Sequence, residues 1–194
     1  MTATRVFLAG ILGGIVMFIW SFIGHDVLEL GEVGVQEIPN EQAVLSALQS
    51  SIGDKSGFYF FPGFGLGDNP SRDARKQAMA HMNEKLATNP SGILVYHPPG
   101  RQFQFGKLLG VEFVTELIAA LLAVFLLAQT RIGSFAGRVG FVLVTGILVA
   151  IMTNVQYWNW YGFPGNYTAA YMLNEVIGFL CAGIVAALVL PKPT

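Results

Sequence analysis

Charge is scarce in this chain. Of 194 residues, 11 are Lys or Arg and 12 are Asp or Glu, 12% in all with a formal net charge of -1. An ordinary soluble domain carries roughly 25% charged residues. That shortage, beside 53% hydrophobic residues, excludes a disordered chain, a nucleic-acid binder gripping phosphates with a basic face, and most cytosolic enzymes. Cysteine is scarcer still: Cys181 stands alone, so no Cys-x-x-Cys pair serves quinone-linked redox chemistry. Of the three histidines only His25 borders a hydrophobic run, which excludes a di-haem carrier ligated by intramembrane histidine pairs. Nucleophile and phosphate signatures are missing too: Gly-x-Ser-x-Gly, His-Glu-x-x-His and a phosphate-cradling glycine loop are absent. The glycine-rich Gly63-Phe64-Gly65-Leu66-Gly67 has no Lys-Ser/Thr after it and reads as a flexible bend. Internal repeats and low-complexity tracts are absent as well.

Long hydrophobic runs are what the chain does have. Four stretches reach the length of about 20 apolar residues that a bilayer helix needs: Val6 to Gly24, within a segment 1–24, then 108–129, 139–158 and 167–190. The first is long for a signal-peptide core, and Gly24-His25-Asp26 offers no small-x-small cleavage site, so it reads as a retained helix. Basic residues near the span ends set the expected orientation. Arg5, Arg131, Arg138 and Lys192 flank one side, whereas the loop Asn159–Asn166 has no Lys or Arg. Both termini are therefore expected in the cytoplasm, with residues 25–107 extracytoplasmic, in a plasma or bacterial inner membrane. Four spans without a broken-helix pair do not suit a standard secondary transporter unless the chain oligomerises.

Within the spans, Gly10, Gly13 and Gly14, then Gly133, Gly137, Gly140 and Gly146, then Gly178 and Gly183 offer close helix approach. They are expected to serve packing within the chain, a dimer interface being the alternative. Short connections make a compact four-helix bundle the expected arrangement. Tyr157, Trp158, Trp160, Tyr161, Phe163 and Tyr167, with Trp20, form an interfacial aromatic belt, and Phe163-Pro164-Gly165-Asn166 turns the chain back. Asn166-Tyr167-Thr168 matches a glycosylation sequon, but it lies at the membrane surface.

Residues 25–107 hold 16 of the 23 charges, and about 83 residues are too many for a plain connection. A small cap domain is expected in the order helix, strand, helix, strand. Asn40 is read as an N-cap before a helix carrying Ala43, Val44, Ala47 and Leu48 on one face. Phe58–Phe61 forms a strand stopped by Pro62-Gly63, Pro70-Ser71 opens a helix with Ala74, Ala78, Met82 and Leu86 on one stripe, and Ile93–Tyr96 forms the second strand. This order predicts a parallel βαβ unit, resting on the bundle mouth or on a partner through the aromatic run 58–64 because two strands alone are marginal. Tetraspanins and tetraspan junction proteins typically staple such a segment with disulfides, which this one lacks.

Ionisable residues inside a span are costly and mark function by default. Glu112 and Glu116 lie four apart on one helix face, and Glu175 lies in the last span. At 1.5 Å per residue, Glu116 and Glu175 fall about 13 and about 12 Å below the span starts, and Asn154 about 6 Å below Trp158. His25 and Asp26 end the first span, with Glu29 a turn on. All four spans thus bring polar groups to the expected outer half. Glu112, Glu116, Glu175 and His25 are suitable ligands for a divalent metal, although the Glu-x-x-His motif of di-iron bundles is absent. A proton-coupled site, and mutual hydrogen bonding of Glu116, Glu175, Asn154 and Gln156, are the alternatives; Glu112 also suits a first helical turn. His97 reads as a strand-end residue and His81 as solvated.

The fold expected is therefore a mainly α membrane protein: a four-transmembrane-helix bundle with a small α/β extracytoplasmic domain. Its expected role is a non-enzymatic binding or accessory subunit with a carboxylate/His pocket at the outer mouth. Expected partners are the lipid bilayer and another membrane protein or a second copy, with no nucleic acid. The alternative is a metal-dependent membrane enzyme or proton-coupled carrier using those same four residues.

Overall fold

The structure, a computed structural model, describes residues 2–191; Lys192, one of the four basic residues used for orientation, lies outside them. Four helices are long and apolar enough to cross a membrane: Ala3–Val27, Phe105–Ala128, Phe135–Tyr161 and Gly165–Val189, hereafter spans 1 to 4. Such helices are compatible with a multi-pass integral membrane protein. Their outward faces carry large apolar side chains, among them Phe7, Ile19, Leu122, Val144 and Leu188, as a surface meeting lipid rather than water must.

Two spans are not uniform helices. Span 1 is an α-helix, α1 (Ala3–Phe22), that ends in a π-helical turn, Ile23–Val27. Span 3 is α-helical over Phe135–Ala150, passes through a π turn at Ile151–Val155, and resumes over Gln156–Tyr161. The Ser134 hydroxyl starts span 3 by accepting from the Gly137 N–H at 3.2 Å. Gly162, at φ +68°, ends it in the left-handed conformation that favours glycine.

Close approach decides which spans pack. Span 1 packs against span 2 and span 4, and span 4 packs also against span 3. A Cβ on Gly14 would fall 2.7 Å from the Leu117 Cα, and one on Gly10 would fall 2.9 Å from the Leu121 Cα. These glycines thus bring span 1 against the backbone of span 2. Gly13 faces Ala182, Gly146 receives the Phe179 ring, and Gly183 receives Val142. The buried cluster follows the same line, through Ala9, Ala120, Ala123, Val124, Phe179 and Ala186. Gly10, Gly13, Gly14, Gly146 and Gly183 are used in packing within the chain, as expected, whereas Gly140 faces open space and Gly137 meets only Ser134 and Ile132 of its own turn.

The compact bundle expected from the short connections is not what forms. Spans 2 and 3 are joined by a short loop but meet sparsely. Every buried residue of span 2 lies from Ala120 onward, at Ala120, Ala123, Val124 and Leu127. Its first half touches span 1 through the Phe18–Phe113 edge contact, with centroids 5.1 Å apart, and through Ser21 on Glu116, but fully buries no residue. The cause is local: Gly106 and Gly110 face open space, and Lys107 and Glu112 share that half-helix, so it has little to pack with. Span 2 is buried towards the Arg138 end, although a groove of about 630 Å³ lies there between Ala3, Phe7 and Phe125, and it diverges at the Glu112 end.

Arg138 locks its own end of spans 3 and 4. It is 2% exposed; its Nε donates to the Ile132 carbonyl at 3.1 Å, and its two terminal nitrogens donate to the Leu190 and Pro191 carbonyls. A guanidinium thus satisfies the carbonyls at the C-terminus of span 4, where the helix dipole also favours a cation.

Residues 37–102 form a second compact unit; residues 28–36 belong with the spans instead, with Gly34 against Asn166 and Tyr167. Its elements are α2 (Glu41–Ile52), β1 (Gly57–Phe61), α3 (Arg72–Ala80), α4 (Met82–Thr88) and β2 (Gly92–Tyr96). The expected elements are present, with three differences. The strands pair antiparallel, Gly57 opposite Tyr96 and Phe61 opposite Gly92, not parallel. A parallel crossover needs its helix packed on the sheet, whereas α3 and α4 bury no residue. The stripe from Ala74 to Leu86 is broken at His81, which separates α3 from α4. Asn40 occupies the N-cap position, but in left-handed conformation and without a capping hydrogen bond. Ser71 does cap, accepting from the Ala74 N–H at 3.1 Å.

Tyr96 is the one buried residue of this unit among the described residues, its hydroxyl donating to the Gly53 carbonyl at 3.0 Å. Lys85 ties α4 to the glycine-rich bend through the Gly63 carbonyl at 2.7 Å. His81 pairs with Glu84 at 3.2 Å on the exposed surface.

Two stability predictions follow from the packing of the spans. Gly14→Val should lower resistance to unfolding by denaturing detergent by about 1–3 kcal/mol, the usual cost of overpacking, whereas Gly110→Ala, in open space, should stay within about 0.5 kcal/mol of wild type. Arg138→Met should cost about 1.5–3 kcal/mol, the worth of hydrogen bonds made by a charged group. Arg138→Lys should recover only part of this, because a single ammonium cannot reproduce the guanidinium fork.

Candidate functional site

The splay opens a cavity of about 750 Å³ at the Glu112 end. His25, Glu112, Glu116 and Glu175, contributed by spans 1, 2 and 4, all line it. A smaller cavity of about 240 Å³ lies between the diverging ends of spans 1 and 2 and shares Ser21, His25 and Glu112 with the first.

The three glutamates have different surroundings. Glu175 is half-buried and held on span 3: the Asn154 carboxamide donates to Oε2 at 2.9 Å and the Thr153 hydroxyl at 3.3 Å. Both donors come from the π turn. A widened turn weakens the main-chain ladder, and side chains commonly make up the loss. Here Asn154 also donates to the Ala150 carbonyl at 3.1 Å, and the single Thr153 proton is shared with the Val149 carbonyl, its shorter bond at 2.8 Å. The turn therefore aims two side chains at span 4 while covering its own carbonyls.

Glu116 is satisfied on one oxygen only. The Ser21 hydroxyl donates to Oε1 at 2.6 Å. Its Oε2 is buried and has no partner among the described residues. Glu112, one turn earlier, is exposed. Asn174 is 8% exposed, and its Oδ1 also lacks a partner. That oxygen lies against Gly24, where a Cβ would collide with it. Trp20 secures the same turn of span 4, its indole N–H donating to the Asn174 carbonyl at 3.0 Å.

His25 meets the ring of Tyr171 edge-on, centroids 5.7 Å apart. Tyr171 continues a run of touching rings: Tyr167 at 4.4 Å, Phe163 at 5.5 Å from Tyr167, and Tyr157 at 5.4 Å from Phe163. The aromatic belt thus extends to the cavity wall.

All four expected site residues border one cavity, but no three His, Cys, Asp or Glu side chains among the described residues come together as a metal-binding group. The mutual bonding expected of Glu116, Glu175, Asn154 and Gln156 is realised in part: Asn154 holds Glu175, while Glu116 is held by Ser21 instead. Ser21, Tyr171 and Asn174 also line the cavity and were not singled out from the sequence. Spacing was the signal for two of them, since Met17, Ser21 and His25 recur every four residues along span 1, and Tyr171 and Glu175 do so along span 4. No family model, curated protein or solved structure matches the chain.

The tie between spans 3 and 4 is testable by removing its partners singly and together. Asn154→Leu should cost about 1–3 kcal/mol in detergent unfolding, because it leaves buried acceptors short of donors. Asn154→Leu combined with Glu175→Leu should be less destabilised than that single variant, since both ends of the bond are then removed.

Proposed function

We propose that the protein is a non-enzymatic membrane binding protein or accessory subunit, working through the carboxylate- and histidine-lined pocket at the outer mouth of its bundle. One observation carries this reading: His25, Glu112, Glu116 and Glu175, far apart in sequence, line a single cavity on the splayed side. Polar groups on a mostly apolar wall are the usual make-up of a small-molecule site. In the proposed orientation both termini and the Arg138 end face the cytoplasm, and the pocket opens to the outside. Arg5 and Arg131 support it, against a loop from Asn159 to Asn166 without basic residues. Residues 37–102 are then extracytoplasmic, and exposed Phe60, Phe61 and Phe64 give them a surface for another membrane protein or a second copy. A metal-centred or proton-coupled site would draw on the same four residues; the metal version requires them to converge from their present separate places on the wall.

Cysteine labelling in a Cys181→Ser background tests orientation and access. Thr115→Cys should react with a membrane-impermeant maleimide added to intact cells, and Gln129→Cys only after permeabilisation; the reverse pattern would invert the topology. Metal content of the purified protein separates the readings. It should be well below one ion per chain, and a stoichiometric metal lost in Glu116→Gln would replace the binding reading by the metal-centred one.

A further inference from the structure

The cavity combines an apolar wall with an acceptor that has no donor. Met17, Leu108, Val111, Ala119, Val149 and Phe179 supply the apolar surface. Glu116 Oε2 is buried and unpartnered. The only ion pair among the described residues is His81–Glu84, so none of the three span glutamates has a protein cation. Lys107 lines the cavity without pairing to any of them. A carboxylate in apolar surroundings is costly until a counter-charge or a donor reaches it, and an orphaned buried acceptor costs its full desolvation.

From this we infer that the pocket binds an amphiphile with a protonated amine head, its ammonium donating to Glu116 and its hydrocarbon lying along the apolar wall. The inference rests on the pocket reading above and adds the chemistry of its ligand. An anionic head would meet three carboxylates. A neutral hydroxyl brings one donor and no charge, whereas an ammonium brings three donors and the missing cation. The cavity volume of about 750 Å³ lies inside the range of roughly 300–1,000 Å³ usual for small-molecule sites. A free lipophilic amine and the primary ammonium of an ethanolamine phospholipid share this chemistry.

The test uses the full chain in phosphatidylcholine nanodiscs, with empty nanodiscs correcting for partitioning. Radiolabelled dodecylamine should bind saturably, and at least about tenfold more tightly than dodecanol, the equivalent of one charge-assisted hydrogen bond. Dodecyltrimethylammonium, which has the charge but no N–H donor, should fall between them. Glu116→Gln should weaken dodecylamine about tenfold and leave dodecanol unchanged, and Ala119→Trp should block both by filling the cavity. Competition by phosphatidylethanolamine, together with its one-to-one retention through purification, assigns the ligand to the lipid; failure to compete assigns it to a free amine. Equal binding of dodecylamine and dodecanol, both blocked by Ala119→Trp, would overturn the ammonium inference and leave the pocket standing. Absence of saturable binding by either would overturn the pocket reading itself. Should Glu116→Gln fail to fold, the comparison of the three probes on wild-type protein decides the matter.

Discussion

The seating of span 4 between spans 1 and 3 is the constraint on which the other features depend. Between helices in lipid there is no hydrophobic gain, so close approach through small residues must supply the attraction. Gly13 against Ala182, Gly183 against Val142, and Gly146 under Phe179 concentrate that approach on span 4, while Gly10 and Gly14 bring in only the middle and second half of span 2. The first half of span 2, with its glycines facing open space, is left to diverge. The cavity is a consequence of where close packing stops.

That divergence sets how each glutamate is accommodated. Glu175 sits where spans 3 and 4 are in contact, and a π turn supplies it with the Asn154 donor and a share of the Thr153 proton. Glu116 sits where spans 1 and 2 begin to separate, and only Ser21 reaches it. The two carboxylates are at comparable depth, yet one belongs to the packed structure and the other keeps an unused oxygen beside the opening. A π turn lies at this level in both span 1 and span 3. In each it accompanies an approach to a polar residue of span 4: Gly24 makes room for the Asn174 side chain, and Asn154 bonds Glu175. A widened turn changes helix phase, and here the change falls where polar groups meet.

Much of this was legible in the sequence because it depends on length and spacing. Four apolar runs gave four helices, and polar residues at matching depths converged on one cavity. The direction of the β1–β2 pair was not legible. Antiparallel and parallel pairing share the same order of elements, and the choice depends on whether a helix covers the sheet. The break at His81 was hidden because residues on both sides keep a four-residue rhythm. The splay was hidden because the length of a loop fixes proximity at one end of two helices only. Ser21 and Asn174 escaped notice because a serine or asparagine in a span is cheap enough to pass as packing, whereas a glutamate is not.

Arg138 shows how one residue can carry two messages. In the sequence it counts towards a basic, cytoplasmic flank. In the structure it is buried and its three donor groups are directed at the Ile132, Leu190 and Pro191 carbonyls, so local hydrogen bonding is sufficient reason for a cation there. The orientation argument then rests more heavily on Arg5 and Arg131, and on a loop at the opposite end that contains aromatics in place of cations. The same residue also accounts for the mechanical asymmetry of the bundle. A charged clamp joins the start of span 3 to the end of span 4, beside the loop from span 2. Among the described residues no hydrogen bond joins the other ends of spans 2 and 3, and there the two spans stand apart.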